Sequence, residues 1–172
     1  MDGSAAPFVA LIEKAGVRRQ SVARRVIEVL RPITVVEGDA RASLVPADSF
    51  TVSCEIEFDN PAIRRQSRTV TLMNGNFKSE IARARTFGFE DDVVQLRKAG
   101  LARGGSFENA IVVGEHGVLN AEGLRYDDEF VRHKLLDCVG DLYLAGARIL
   151  GHFRGYRSGH ALNHRVLTTL FA

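Results

Sequence analysis

"SFTVSCEIEF" (Ser49–Phe58) carries an apolar side chain at every second position. Phe50, Val52, Cys54, Ile56 and Phe58 alternate with Thr51, Ser53, Glu55 and Glu57. Successive side chains of a strand leave opposite faces, so this is the pattern of a strand with one face buried and one wet. Runs of the same character surround it: "VIEVLRPITVVEGD", "ARASLVPA" and "SRTVTLM". Gly38-Asp39, Pro46 and Asn60-Pro61 punctuate them as turns. From Val26 to Met73 the spacing predicts an antiparallel meander with one buried face.

Helical segments flank the meander. "SAAPFVALIEKAG" offers Ser4 as a cap, Pro7 in the first turn and Gly16 as a stop. A helix start is expected from about Asn76, and "FEDDVVQLRKAG" reads as a second short helix closed by Gly100. "LARGGSFENAIVVG" adds a Gly-Gly turn and the strand "AIVVG", so a small helix–loop–strand crossover unit is expected within the sheet architecture. Gly104-Gly105 lacks the wider spacing of a phosphate loop. A long helix follows, with Asp127 or Asp128 as its cap, then the strand "ARILGHFRGY". Ser158 is placed to cap a last helix with His160 in its first turn. The fold class is α+β: a two-layer sandwich, a mostly antiparallel sheet with helices packed on one face, plus the inserted unit at about 89–113.

Composition bounds the function. With 172 residues, 45% hydrophobic and 26% charged, the chain suits one soluble globular domain and excludes whole-chain disorder. A net charge of +2 gives no argument for nucleic acid. Lys14, Arg18, Arg19, Arg24, Arg25 and Arg31 cluster, but without aromatic residues among them for base stacking; a solvated surface accounts for them better than an RNA-binding module. Cys54 and Cys138 lie far apart in sequence and outside any CxxC pair, as free thiols of a reducing compartment do. There is no signal-peptide pattern at the N-terminus and no apolar run near the ~18 residues of a membrane span. The expected location is the cytoplasm.

In "FVRHKLLDCVGDLYLAG" (Phe130–Gly146), at about 100° per residue, Val131, Leu135, Cys138 and Leu142 share the face expected to meet the sheet. His133, Asp137 and Asp141 fall nearly opposite, with Phe130 among them. Two readings serve that stripe. It is a solvated face with a weak i, i+4 pair, or it presents two ligands of the type a catalytic zinc takes, with Asp141 as a supporting carboxylate. "RSGHALN" adds His160 at a helix start, either a surface histidine or a general acid held by a carboxylate such as Asp141.

"RTFGF", "GLARGGSFENAIVV", "VLNAEGLRYDDEFVRHKLLDCVGDLYLAG" and "RSGHALN" together resemble the UDP-3-O-acyl-N-acetylglucosamine deacetylases, zinc amidases of lipid A synthesis in Gram-negative bacteria. The resemblance runs from Met1 to Ala172. It implies a Zn2+ cofactor with His133 and Asp137 as ligands, and Lys134 facing the substrate. It implies Asp141 supporting His160, and His160 protonating the leaving amine. Thr86 and Phe87 would line the sugar and catalytic pocket, and Phe107 and Val112 the acyl passage of the insert. The family is about twice this long, and its first domain carries a Glu-His pair as general base and third ligand. Here the one Glu-His is Glu115-His116, in a turn. The expectation is therefore that residues 1–20 are the last helix and linker of a first domain, that 21–172 form the C-terminal catalytic domain, and that the chain alone is inactive. A first domain on a separate chain is a further reading, behind this one. The runner-up is a stand-alone, non-catalytic domain that binds a nucleotide sugar, an acyl chain or a partner subunit. Arg157 stands where many relatives have Lys, which keeps the charge and changes its geometry.

Overall fold

The computed structural model describes residues 2–73, 75–100 and 104–172. In chain order its elements are α1 (Ala6–Ala15), β1 (Val26–Glu28), β2 (Ile33–Glu37), β3 (Ala40–Val45), β4 (Phe50–Glu57), β5 (Arg65–Thr71), α2 (Phe77–Glu80), β6 (Phe87–Phe89), α3 (Glu90–Lys98), β7 (Ile111–Val113), α4 (Glu129–Tyr143), β8 (Arg148–Tyr156) and α5 (His160–Leu170).

The alternation in β4 translates directly into burial: Phe50, Val52, Cys54 and Ile56 are buried, and the residues between them are not. Two antiparallel hairpins, β2–β3 and β4–β5, form as the turn signals require. They do not continue into a meander. β8 inserts between them, antiparallel to β3 and parallel to β4, giving the order β2-β3-β8-β4-β5, and β1 pairs in parallel with the start of β8. The physical reason is burial. β8 alternates Ile149, Gly151, Phe153 and Gly155 toward the helices, so its inner face needs a partner strand on either side. Gly151 is required there, since a Cβ would sit 2.7 Å from Val29 Cγ2.

Two helices cover one face of this α+β sandwich. α4 packs on β4 and β5, α5 on β2 and β3, and the helices touch each other. Val131, Leu135, Cys138 and Leu142 are all buried, as their shared face predicts. The two cysteines, distant in sequence, meet in this layer with Sγ atoms 3.4 Å apart, and the contact and burial raise the Cys54 thiol well above its ordinary pKa.

The crossover unit forms, but beside the main sheet rather than within it. β6 and β7 make a separate two-stranded parallel sheet with α3 as the crossover, and Gly100 closes α3 with φ +78°. β6 lies in "RTFGF", where a three-residue strand leaves no periodic signal. Residues 101–103 of the expected insert lie outside the described residues. The basic cluster from Lys14 to Arg31 is exposed. Among the described residues, no helix is long and apolar enough to cross a membrane.

Three expected caps resolve differently. Ser4 precedes the N-cap Ala5, but its hydroxyl still accepts from the Ala6 N–H at 3.3 Å. Asp128 occupies the N-cap of α4 without capping it, because Arg132 and Arg68 claim its carboxylate. Ser158 is not the cap of α5. Gly159 holds that position, and Ser158 is buried in a tight turn against Gly155.

Candidate active site

The polar stripe of α4 is not a solvated face. Phe130 is fully buried, because Phe87 of β6 packs edge-on against it with ring centroids 5.1 Å apart. The insert thus covers the first turn of the stripe, and the polar positions follow as the helix emerges.

His133 comes next. Its Nδ1 donates to the Ala84 carbonyl at 3.2 Å, which directs Nε2 toward Asp137. Nε2 and Asp137 Oδ1 lie 3.3 Å apart. Lys134 Nζ donates to the other oxygen, Oδ2, at 2.9 Å. Burial works against the Asp137 charge, yet His133 and Lys134 outweigh it and hold the carboxyl at a pKa of about 2. The same contact raises Lys134 against its burial.

This pair fits a small divalent cation. A ring nitrogen whose companion nitrogen is tied to a carbonyl faces an ionised oxygen, and such a pair shares one cation between its two atoms. Bonds of about 2.0–2.1 Å in a tetrahedral shell set ligand atoms about 3.3 Å apart, which is the separation found. Among the described residues, no group of three or more His, Cys, Asp or Glu side chains is placed to hold a metal.

One turn further, Asp141 is buried beneath α5. Its two oxygens lie 3.0 and 2.9 Å from His160 Nδ1, and Asn163 Nδ2 donates to Oδ2 at 2.8 Å. The His160 ring, with Nδ1 anchored, is exposed on its other edge. Asn163 and His164 went unremarked in the sequence. His164 Nε2 stands 3.5 Å from Asp141 Oδ1. Their signal is the helical spacing from His160, three and four residues on, which returns both to one face.

A cavity of about 320 Å³ opens beside Lys134, lined by Phe87, Phe58, Ile56, Arg157 and Ser158 among others. Arg157 enters it from a left-handed backbone, φ +50°, with its N–H donating to the Glu55 carbonyl at 2.8 Å. The structure therefore brings Lys134 and Phe87 together. It does not bring the other expected lining residues to that cavity. Thr86 is exposed just before β6, Phe107 is 52% exposed, and Val112 is half-buried in β7. Glu115-His116 lies in an exposed turn, with both side chains in solvent.

A family profile described as LpxC, UDP-3-O-acyl N-acetylglycosamine deacetylase, matches residues 1–172. The chain belongs to this family. A relative from Pseudomonas entomophila (strain L48), named UDP-3-O-acyl-N-acetylglucosamine deacetylase, is 53% identical over 174 residues. That alignment covers 100% of this chain and 57% of the relative, so the chain spans little more than half the length of that deacetylase. In this LpxC-family chain the histidines and carboxylates of two separate motifs converge along one side of α4.

Proposed function

We propose that this chain is the C-terminal catalytic half of a zinc-dependent deacetylase, which removes the N-acetyl group of UDP-3-O-acyl-N-acetylglucosamine as acetate in lipid A synthesis. The observation that carries the reading is the paired geometry on α4: His133 Nε2 and Asp137 Oδ1 3.3 Å apart, and Asp141 on His160 Nδ1 one turn away.

His133 and Asp137 would hold the zinc ion. Bound there, it would supply Lewis-acid polarisation of the amide carbonyl and a water of lowered pKa. The remaining steps belong to the chain's own groups. Lys134 neutralises the outer oxygen of Asp137 and faces the cavity where an anionic substrate would lie. Asp141 holds His160 at Nδ1, so Nε2 carries the transferable proton outward. That proton goes to the glucosamine nitrogen as the C–N bond breaks. Phe87 would pack the sugar, Thr86 would meet it from outside the cavity beside Lys134, and Phe107 and Val112 would line the acyl passage of the insert.

Among the described residues the site offers two candidate ligands, His133 and Asp137; on this reading the third ligand and the base would come from a first domain, in the part of the longer relative that this chain does not cover. The chain by itself is then inactive. α1 supports this reading, because it buries none of its residues and leaves Phe8, Leu11 and Ile12 exposed. Residues 1–20 are assigned to the close of that domain, and 21–172 to the catalytic one. The cytoplasm suits its two free thiols.

Metal analysis and deacetylation assays on the two-domain enzyme test the reading. Wild type should carry zinc and release acetate, and Asp137→Ala should lose both. Equal zinc in the two proteins would remove Asp137 from the ligand set.

A further inference from the structure

Beneath the stripe lies a charged group that the proposed chemistry does not use. Glu129, the first residue of α4, is fully buried, and so is Arg85. Arg85 Nε donates to Glu129 Oε1 at 3.0 Å and Nη2 to Oε2 at 3.1 Å. Two more guanidinium hydrogens reach Glu122 at 2.8 Å and the Gly123 carbonyl at 2.7 Å. A two-toothed pair of this kind fixes direction as well as distance.

A third bond gives the pair a consequence for the site. The backbone N–H of Arg85 also donates to Glu129 Oε1, at 3.0 Å. That N–H belongs to the peptide group joining Ala84 to Arg85. The carbonyl of the same peptide group, Ala84 O, is the one that accepts from His133 Nδ1. The N–H and C=O of a trans peptide lie in one plane and point in opposite directions. Glu129 and His133 are four residues apart on α4, on one face and about 6 Å along the axis. One peptide group is thus gripped at its two ends by two side chains of one helix face.

We propose that Glu129 is a positioning residue for His133, acting through the Ala84–Arg85 peptide group. By holding the N–H it aims the Ala84 carbonyl at Nδ1. Nδ1 then carries the ring proton, and Nε2 is left as the nitrogen that faces Asp137. Rotating the peptide would remove the acceptor and free the ring to flip or change tautomer. Arg85 serves Glu129, not His133. Its guanidinium neutralises the carboxylate and sets its plane, while the bond that matters to His133 is made by its backbone. The metal-ligating role of His133 is the reading proposed above, and the test separates the two.

The experiment uses 15N-histidine NMR on the metal-free chain, with the His133 signals assigned through H133Q, together with zinc titration of the two-domain enzyme against a competing chelator. Glu129→Asp keeps the charge but draws it back from the Arg85 N–H. Arg85→Lys keeps the backbone bond but loses the fork. Wild type should show His133 protonated at Nδ1. E129D should show a mixture of tautomers and bind zinc about 10–100-fold more weakly, the range for losing a group that orients a ligand. R85K should lose thermal stability while keeping the wild-type tautomer and zinc affinity within about threefold of wild type.

A wild-type His133 without a proton at Nδ1 overturns the proposal, and this measurement decides even if E129D does not fold. So does an E129D protein with unchanged tautomer and affinity, or an R85K protein that loosens His133 as far as E129D does. A two-domain enzyme that binds no zinc, beside a chain whose His133 Nδ1 bond is changed by E129D, sustains this proposal and sinks the metal reading.

Discussion

Phe130→Ala isolates the contact that joins the insert to the long helix. Phe130 is fully buried in the first turn of α4. Its ring meets Phe87 edge-on, centroids 5.1 Å apart and planes at 86°. Phe87 in turn meets Phe58 at 5.9 Å. Truncating a buried Phe costs about 3–5 kcal/mol through lost transfer free energy and the cavity left behind. The upper half is expected here, because α4, β6 and the end of β4 are each anchored by other contacts and cannot collapse into the space. About 0.5–1.5 kcal/mol of the loss belongs to the ring pair itself. For a chain of this size each kcal/mol lowers Tm by about 2–4 °C, so a fall of about 8–20 °C is expected. Urea unfolding, followed by circular dichroism and fluorescence, gives the free energy if the two curves coincide. Phe107→Ala, at a ring 52% exposed, is the control and should stay within about 0.5 kcal/mol of wild type. A double-mutant cycle with Phe87→Ala should return a coupling of about 0.5–1.5 kcal/mol. A Phe130→Ala protein within about 1 kcal/mol of wild type would refute the claim that this ring closes the core under the insert.

Asp141→Asn should loosen His160, since the amide loses the negative charge that supports the ring and puts a donor NH2 in place of one of the two oxygens near Nδ1; in the two-domain enzyme kcat should fall about 10²–10⁴-fold with KM little changed, and a fall below tenfold would remove Asp141 as the support of His160. Stability should decrease in acid. Burial opposes the charge of Glu129, but Arg85 and the backbone N–H groups outweigh it and lower its pKa; Asp128 is lowered likewise by Arg132 and Arg68. A carboxyl depressed in the folded state stabilises above its unfolded pKa, about 3.9 for Asp and 4.3 for Glu, and that contribution is lost as pH falls through the folded value. Urea midpoints should therefore hold from pH 7 to about 5 and drop below about pH 4; a midpoint that is flat down to pH 3 contradicts this. Gly3→Ala should loosen the N-terminal segment from the insert, because Gly3 has φ +73° and a Cβ there would meet the Asn109 carbonyl at 1.9 Å. Faster amide exchange at Thr86, whose N–H donates to the Gly3 carbonyl at 3.1 Å, would report it, and unchanged exchange would count against it.

The sequence by itself determined the longer local elements and their inner faces, β6 excepted. Alternation at Phe50 to Ile56 and the shared helical face of Val131, Leu135, Cys138 and Leu142 specify which side is buried, because period alone decides which side chains point together. It also determined the family, through long ordered motifs, and placed His133, Asp137 and Asp141 on one stripe. Position along the chain carries no information about which strands become neighbours. The insertion of β8 between two hairpins, the displacement of the crossover unit to a sheet of its own and the meeting of Cys54 with Cys138 follow from the shared burial of both layers, so only the tertiary structure decided them. The site divides in the same way. Helical spacing set His133 beside Asp137, but the Ala84 carbonyl that orients His133 comes from a segment 49 residues away. Asp141 meets His160 only because α5 packs against α4, and a hydrogen bond between distant segments exists once the core beneath them has closed.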